Sequence, residues 1–191
     1  MSTRARVGIT IPEGIESIYV HFDGYPEGVG QKLLDHWTEA DKVRQLIDLG
    51  DLSQLGEEIG EKHDFDTYYG SRPEAELAMC LAYGRDRGEE DVTSVKHPED
   101  AWPDYGQEYE YLAVPDLEEV VRWQVREVSY GGQPRSDWRQ LAIVARLEYL
   151  RGELRAERLS YGELAELQGL AEHISPGDVE LLEAAGVPEF P

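Results

Sequence analysis

The chain has 191 residues, enough for one large domain or one domain with a small appendage, and its 40% apolar content excludes a wholly disordered protein. Forty acidic residues against eighteen basic ones give a formal net charge of −22. That charge argues against direct binding to nucleic acid or anionic membranes, both of which rest on Lys and Arg neutralising phosphates.

No apolar run has the length of a membrane span, and the first twelve residues lack the apolar stretch of a signal peptide. The single cysteine, Cys80, lies in the apolar run 77–82, where a small buried hydrophobe is expected and not a nucleophile. A cytoplasmic protein is expected. The charge is uneven: residues 57–119 hold nineteen acids and five bases, whereas residues 134–191 hold eleven and six. Of the basic residues only four are Lys and fourteen are Arg, the coding habit of a GC-rich genome. Acidity of this kind serves solubility or presents a surface to basic partners.

In chain order, residues 16–22 read as a strand, β-branched and aromatic. A loop dense in turn formers follows (Asp23, Gly24, Tyr25, Pro26), then a helix with Val29, Leu33, Leu34 and Trp37 on one face. Thr38, with Asp41 three residues on, predicts the cap of a second helix whose core face is Val43, Leu46 and Ile47 and whose terminator is Gly50. Leu52, Leu55 and Ile59 fit a short helix or edge strand. The run 75–83 fits a central strand better than a buried helix, because it is short and ends at Gly84. Residues 84–106 are polar and punctuated by Pro and Gly, so a long exposed loop is expected. Two pairing strands are predicted, one from Glu108 to Val114 and one around Trp123 and Val125, with a short helix at 117–121 between them.

From residue 134 the pattern turns helical. Ile143, Leu147, Leu150 and Leu154 stripe a long helix over 137–158, with Arg146, Arg151, Arg155 and Arg158 among glutamates on its wet faces. Ser160 and Glu163 form a capping box for a second helix with apolar positions Tyr161, Leu164, Leu167, Ala171 and Ile174, and a third starts with Pro176 at its first position and ends at Gly186. The expected fold is α+β: a small mixed or antiparallel sheet with packed helices over residues 1–133, then a helical hairpin and a short helix over 134–191.

Chemistry is harder to place. Gly24, Gly28 and Gly30 lack the spacing and the Gly-Lys-Ser/Thr ending of a phosphate loop, and Glu27 already answers the helix dipole there. His21 with Asp23, and His63 with Asp64 and Asp66, are residue types that ligate divalent metals, but neither has a recognised ligand spacing. Arg85 and Arg87 stand in an acidic stretch, where they suit a bound carboxylate or an internal salt-bridge hub. Candidate binding residues are therefore Asp23, Tyr25, Arg85, Asp86, Arg87 and Glu89. A candidate acidic face comprises Glu57, Glu58, Glu61, Asp64, Asp66, Glu89, Glu90, Asp91, Glu99 and Asp100. No cofactor is expected.

The segment from Glu16 through His21, Phe22, Asp23, Gly24, Tyr25 and Pro26 to Leu34 resembles a group of uncharacterised bacteriophage and prophage proteins, whose openings read His-Trp-Asp-Gly-Tyr-Pro; Phe22 stands where they usually have Trp. The likeness continues through Lys42 to Gly56 and at Ala82 to Glu89, and covers about the first 112 residues. The tail from Arg155 to Leu167 is similar to a helical segment of hypothetical proteins of actinobacterial phages and plasmids. The resemblance implies a mobile genetic element as the source. Three functions fit: an acidic binding protein that mimics nucleic acid toward a basic host or phage protein, as host-takeover or anti-defence factors do; an accessory phage protein that assembles through its tail, with itself or another protein; and a small metal-dependent hydrolase built on His21, Asp23 and the Arg85 loop.

Overall fold

The computed structural model describes residues 2–66, 73, 76, 78–129 and 131–187. It is an α+β protein that divides into two compact units, residues 1–141 and residues 142–191.

The first unit is built on β1 (Ala5–Ile11) and β2 (Gly14–Val20), a hairpin closed by Pro12 and Glu13. The remaining strands are β3 (Leu52–Gln54), β4 (Leu81–Ala82), β5 (Val95–His97), β6 (Tyr109–Pro115), β7 (Val121–Glu127) and β8 (Arg139–Gln140). Their order is β4-β3-β2-β1-β6-β7-β8, with β5 also paired to β2. The sheet is mixed: β1 runs parallel to β6 and β2 parallel to β3, and every other pairing is antiparallel. Because β8 pairs with β7, this unit extends past residue 133 to 141.

Side chains alternate across a strand, and the two faces of the sheet diverge in character. Ala5, Val7, Ile9, Ile18, Val20, Tyr111, Ala113, Trp123 and Val125 line the apolar face, all buried. Helix α1 (Gln31–His36) and helix α2 (Ala40–Asp48) supply Leu33, Trp37, Val43, Leu46 and Ile47 to the core, and α2 packs on β1, β2 and β6. Trp37 joins three segments: its Nε1 donates to the Gly56 carbonyl at 3.0 Å, and its own carbonyl accepts from Trp123 Nε1 at 2.8 Å.

Several local expectations change. The cap of α2 is Glu39, with no side-chain hydrogen bond, because the backbone of Thr38 and Ala40 is tied to Val121 and Glu119. Residues 117–119 form a turn and not a helix: the Asp116 carboxylate accepts from the Glu118 and Val120 amides and closes the link from β6 to β7. Of the run 75–83, Ala75 and Leu77 lie outside the described residues, and the strand is confined to Leu81–Ala82. Residues 84–106 are not one loop; they contain a π-helical turn (Tyr83–Arg87), β5, and buried Trp102. Gly50 ends α2 at φ +77°, and a Cβ there would lie 2.2 Å from the Val92 carbonyl oxygen.

The second unit holds α3 (Leu141–Arg155, whose first residue belongs to the sheet unit), α4 (Tyr161–Gly169) and α5 (Val179–Ala184). Leu147, Leu150, Leu167, Ile174, Leu181 and Ala185 form its core, with Ile143 and Leu154 packed against them. The Ser160–Glu163 capping box is present. Helix α5 starts at Val179 and not at Pro176, and Asp178 caps it. Tyr161 is 94% exposed, because it occupies the first turn of α4 on the side away from that core. Among the described residues, no helix is long and apolar enough to cross a membrane.

Truncating Trp37 to Ala removes the largest fully buried side chain together with its tie to Gly56. Chemical denaturation should register a loss of about 3–5 kcal/mol.

Candidate functional site

The ten acidic-face residues are all exposed. Glu57 lies 3.9 Å from His36, and Glu89 lies 3.0 Å from Arg87. Glu58, Glu61, Asp66, Glu90, Asp91, Glu99 and Asp100 form no ion pair among the described residues, while Asp64 accepts from the Asp66 amide. The tail contrasts with this. There Arg146 pairs with Glu166, Arg151 with Glu148, Asp178 and Glu180, Arg155 with Glu180, and Arg158 with Glu153.

Arg85 and Asp86 form a knot. The Asp86 carboxylate is fully buried and accepts from Arg85 Nε (2.7 Å), Arg85 Nη2 (2.8 Å), the Ala82 amide (2.8 Å) and the His63 amide (3.2 Å). Arg85 also donates to the carbonyls of Ile59, Gly60 and Cys80. Burial works to raise the Asp86 pKa, yet the bonds from Arg85, Ala82 and His63 hold it below the usual carboxylate range. Both side chains are therefore spent on tying residues 59–63 to β4. Arg87 is exposed and lies over the Phe65 ring.

The Asp23 to Pro26 loop is also heavily constrained. Asp23 has φ +57° and an exposed side chain whose charge raises the pKa of the exposed Tyr25 phenol. A Cβ on Gly24 would lie 2.5 Å from the Arg4 carbonyl carbon, and the Gly24 oxygen accepts from the Tyr111 hydroxyl at 2.9 Å. This close approach of two backbones accounts for Gly at position 24.

His21 Nδ1 bonds to the Tyr19 hydroxyl at 2.9 Å, and burial first, then the Arg4 charge, lowers its pKa. His63 Nε2 lies 3.7 Å from Asp86, to which Arg85 is already bound. Among the described residues, no three His, Cys, Asp or Glu side chains converge as a metal-binding group, and no hydrogen bond or ion pair joins His21, Asp23 and Arg85. Cys80 is buried, accepts from the Gly56 amide at 3.3 Å, and has its pKa pushed up to about 11 by desolvation, which keeps it a thiol.

The opposite face of the sheet carries a polar layer that periodicity does not reveal. Arg6, fully buried near the start of β1, donates through Nε and Nη2 to Ser17 Oγ at 3.2 and 2.9 Å and through Nη2 to the Ser17 carbonyl at 3.1 Å. Ser17 Oγ lies 2.8 Å from His97 Nε2, and His97 Nδ1 lies 2.9 Å from the Pro98 carbonyl. A carbonyl only accepts, so Nδ1 carries the proton and Nε2 accepts from the serine hydroxyl. The Ser–His pair has the contacts of an activated nucleophile. Ser17 is nevertheless fully buried, with Arg6 filling its acceptor positions, so no substrate reaches it. Beside it, Glu110 accepts from Arg126 Nε at 2.6 Å and Gln107 Nε2 at 3.0 Å, and Arg126 lies over the Trp138 ring at 4.4 Å. Ile15, Trp102 and Leu112 complete the layer.

Compared with known proteins, the chain matches no family model, no curated protein and no solved structure. Its own geometry carries the functional argument.

Two outcomes follow. Replacing Arg85 with Ala leaves the buried Asp86 carboxylate without its counter-charge and three carbonyls without that donor, so denaturation should show a loss of about 3–5 kcal/mol. Burial first, then the Arg6 charge, holds the His97 pKa below 6.5. The unfolded chain takes up that proton more readily than the fold, so this contribution is complete above about pH 6.5 and is lost as pH falls through the lower folded value. Thermal unfolding between pH 7.5 and 5 should show that decline, with a shallower slope in His97→Gln; equal slopes would remove His97 as the cause.

Proposed function

We propose that this chain is an acidic binding protein of a mobile genetic element, which offers its surface between Glu57 and Asp100 to a basic host or phage protein in place of nucleic-acid phosphates. The observation that supports this reading is the set of seven exposed carboxylates that form no ion pair among the described residues, in a protein whose Arg146, Arg151, Arg155 and Arg158 are all paired. An unpaired carboxylate keeps its whole charge for a partner, and a group of them draws a cationic surface from a distance. Solubility asks only for net charge, which paired and unpaired acids distributed evenly would also supply. Glu89, Glu90 and Asp91 are consecutive and exposed, a local density that suits Lys and Arg side chains shaped to grip a phosphate backbone.

The resemblance to phage and prophage proteins supports a setting in which such mimicry is useful. The hydrolase alternative draws no support from the site, where Arg85 is consumed by Asp86 and by backbone carbonyls.

The test is capture from a host lysate with salt-graded elution and competition by duplex DNA. A basic partner should be released as ionic strength passes from about 0.15 to 0.5 M, and duplex DNA should displace it. The fourfold variant Glu58→Gln, Glu61→Gln, Glu90→Gln, Asp91→Asn should weaken capture at least about tenfold, the loss of a few screened charge contacts. Capture that survives high salt, or that the fourfold variant retains in full, would refute the reading.

A further inference from the structure

The chain has fourteen arginines among forty acids, so an arginine without a carboxylate partner is a matter of placement and not of shortage. Ten of the described arginines form ion pairs. The other three are Arg4, Arg6 and Arg135. Arg6 is bound to Ser17. Arg4 and Arg135 line one cleft of about 450 Å³ at the end of the sheet where β1 and β6 begin and β7 ends.

Both arginines are held at the backbone. The Arg4 carbonyl accepts from the Glu108 amide at 2.9 Å, and the Arg135 amide donates to the Glu127 carbonyl at 2.8 Å, next to the bridge between Val128 and Pro134. The Gln107 wall is fixed too, by bonds to Tyr105, Pro103 and Glu110. Arg4 Nε is buried and donates to nothing. Of the two carboxylates at the cleft, Glu127 lies 3.8 Å from Arg139, which leaves Glu108 against two guanidiniums. The cleft thus gathers two arginines that have no carboxylate partner, in a protein of net charge −22.

We propose that this cleft binds a phosphomonoester no larger than a mononucleotide, with Arg4 and Arg135 on the phosphate. Two guanidiniums present more fork-shaped donors than one carboxylate accepts. A phosphomonoester, with three acceptor oxygens and between one and two charges near neutral pH, engages both. The volume lies in the range of small-molecule sites and exceeds what a bare ion needs. This site is separate from the acidic surface and does not depend on it.

Thermal shift and calorimetric titration with inorganic phosphate and with AMP, each against sodium chloride at equal ionic strength, test it. Either probe should raise Tm above the chloride control. Arg135→Gln, at an exposed position, and Arg4→Gln should each raise the Kd roughly tenfold or more, the loss of a charge-assisted contact. Arg122→Gln, a change at an exposed arginine paired with Asp116, should leave binding unchanged. A Tm no higher than in chloride, or equal binding by wild type and Arg135→Gln, would overturn the proposal.

Discussion

Eighteen cations cannot answer forty carboxylates, and where this protein spends them governs both its structure and its surface. Arginines go to places where an unmatched charge would be ruinous. Buried Asp86 receives Arg85 and buried Glu110 receives Arg126, because removing a carboxylate from water is tolerable only with a partner and full hydrogen bonding. In the helical unit, Arg151 bridges Glu148, Asp178 and Glu180, so it ties α3 to the capped start of α5. What remains on the sheet unit is a set of acids that form no ion pair among the described residues. Their mutual repulsion opposes folding, and the apolar core and buried polar layer must outweigh it.

The buried layer is the less expected half of that balance. Arg6 sits in the middle of the sheet, desolvated enough that its pKa is lowered, with the charges of Asp51 and Glu110 acting in the opposite sense. Its hydrogen bonds run to Ser17 and onward to a neutral His97, so a cation is stabilised by dipoles and a distant field instead of a salt bridge. Such a network specifies one arrangement of β1, β2 and β5, since Ser17 is the hydrogen-bond partner of both Arg6 and His97.

Much of the sheet-and-helix plan was legible from periodicity. β6 and β7, α2 with Val43, Leu46 and Ile47, the α3 stripe and the Ser160–Glu163 cap all follow from spacing and capping chemistry. Strand β1 was not. Val7, Ile9 and Ile11 alternate as a strand should, but Arg4, Arg6 and Gly8 between them look like the polar side of a solvated segment; only tertiary pairing shows that Arg6 is interior. β5 is three residues of mixed polarity whose one buried side chain is a histidine, a signal too short for any pattern rule. Segment 98–107 reads as loop by composition, and it is irregular, yet Trp102 and Gln107 within it cover the polar face. The candidate site divides in the same way. Exposure of the acidic residues was readable from composition, whereas the bonds of Arg85 to the Ile59 and Gly60 carbonyls and the lack of a carboxylate partner for Arg4 and Arg135 depend on how distant segments meet.

The uncompensated acidic surface is most directly weighed by the salt dependence of stability in the sheet unit. All four tryptophans lie within residues 1–141, so tryptophan fluorescence follows that unit during heating. Raising sodium chloride from about 10 mM to 0.5 M shortens the screening length from roughly 30 Å to a few ångströms. If unpaired carboxylates repel one another across the folded surface, the fluorescence-detected Tm climbs over that range, and climbs less when Glu58, Glu61, Glu90 and Asp91 are neutralised. A Tm that stays flat or falls with salt would mean that the carboxylates are already compensated and do not repel one another.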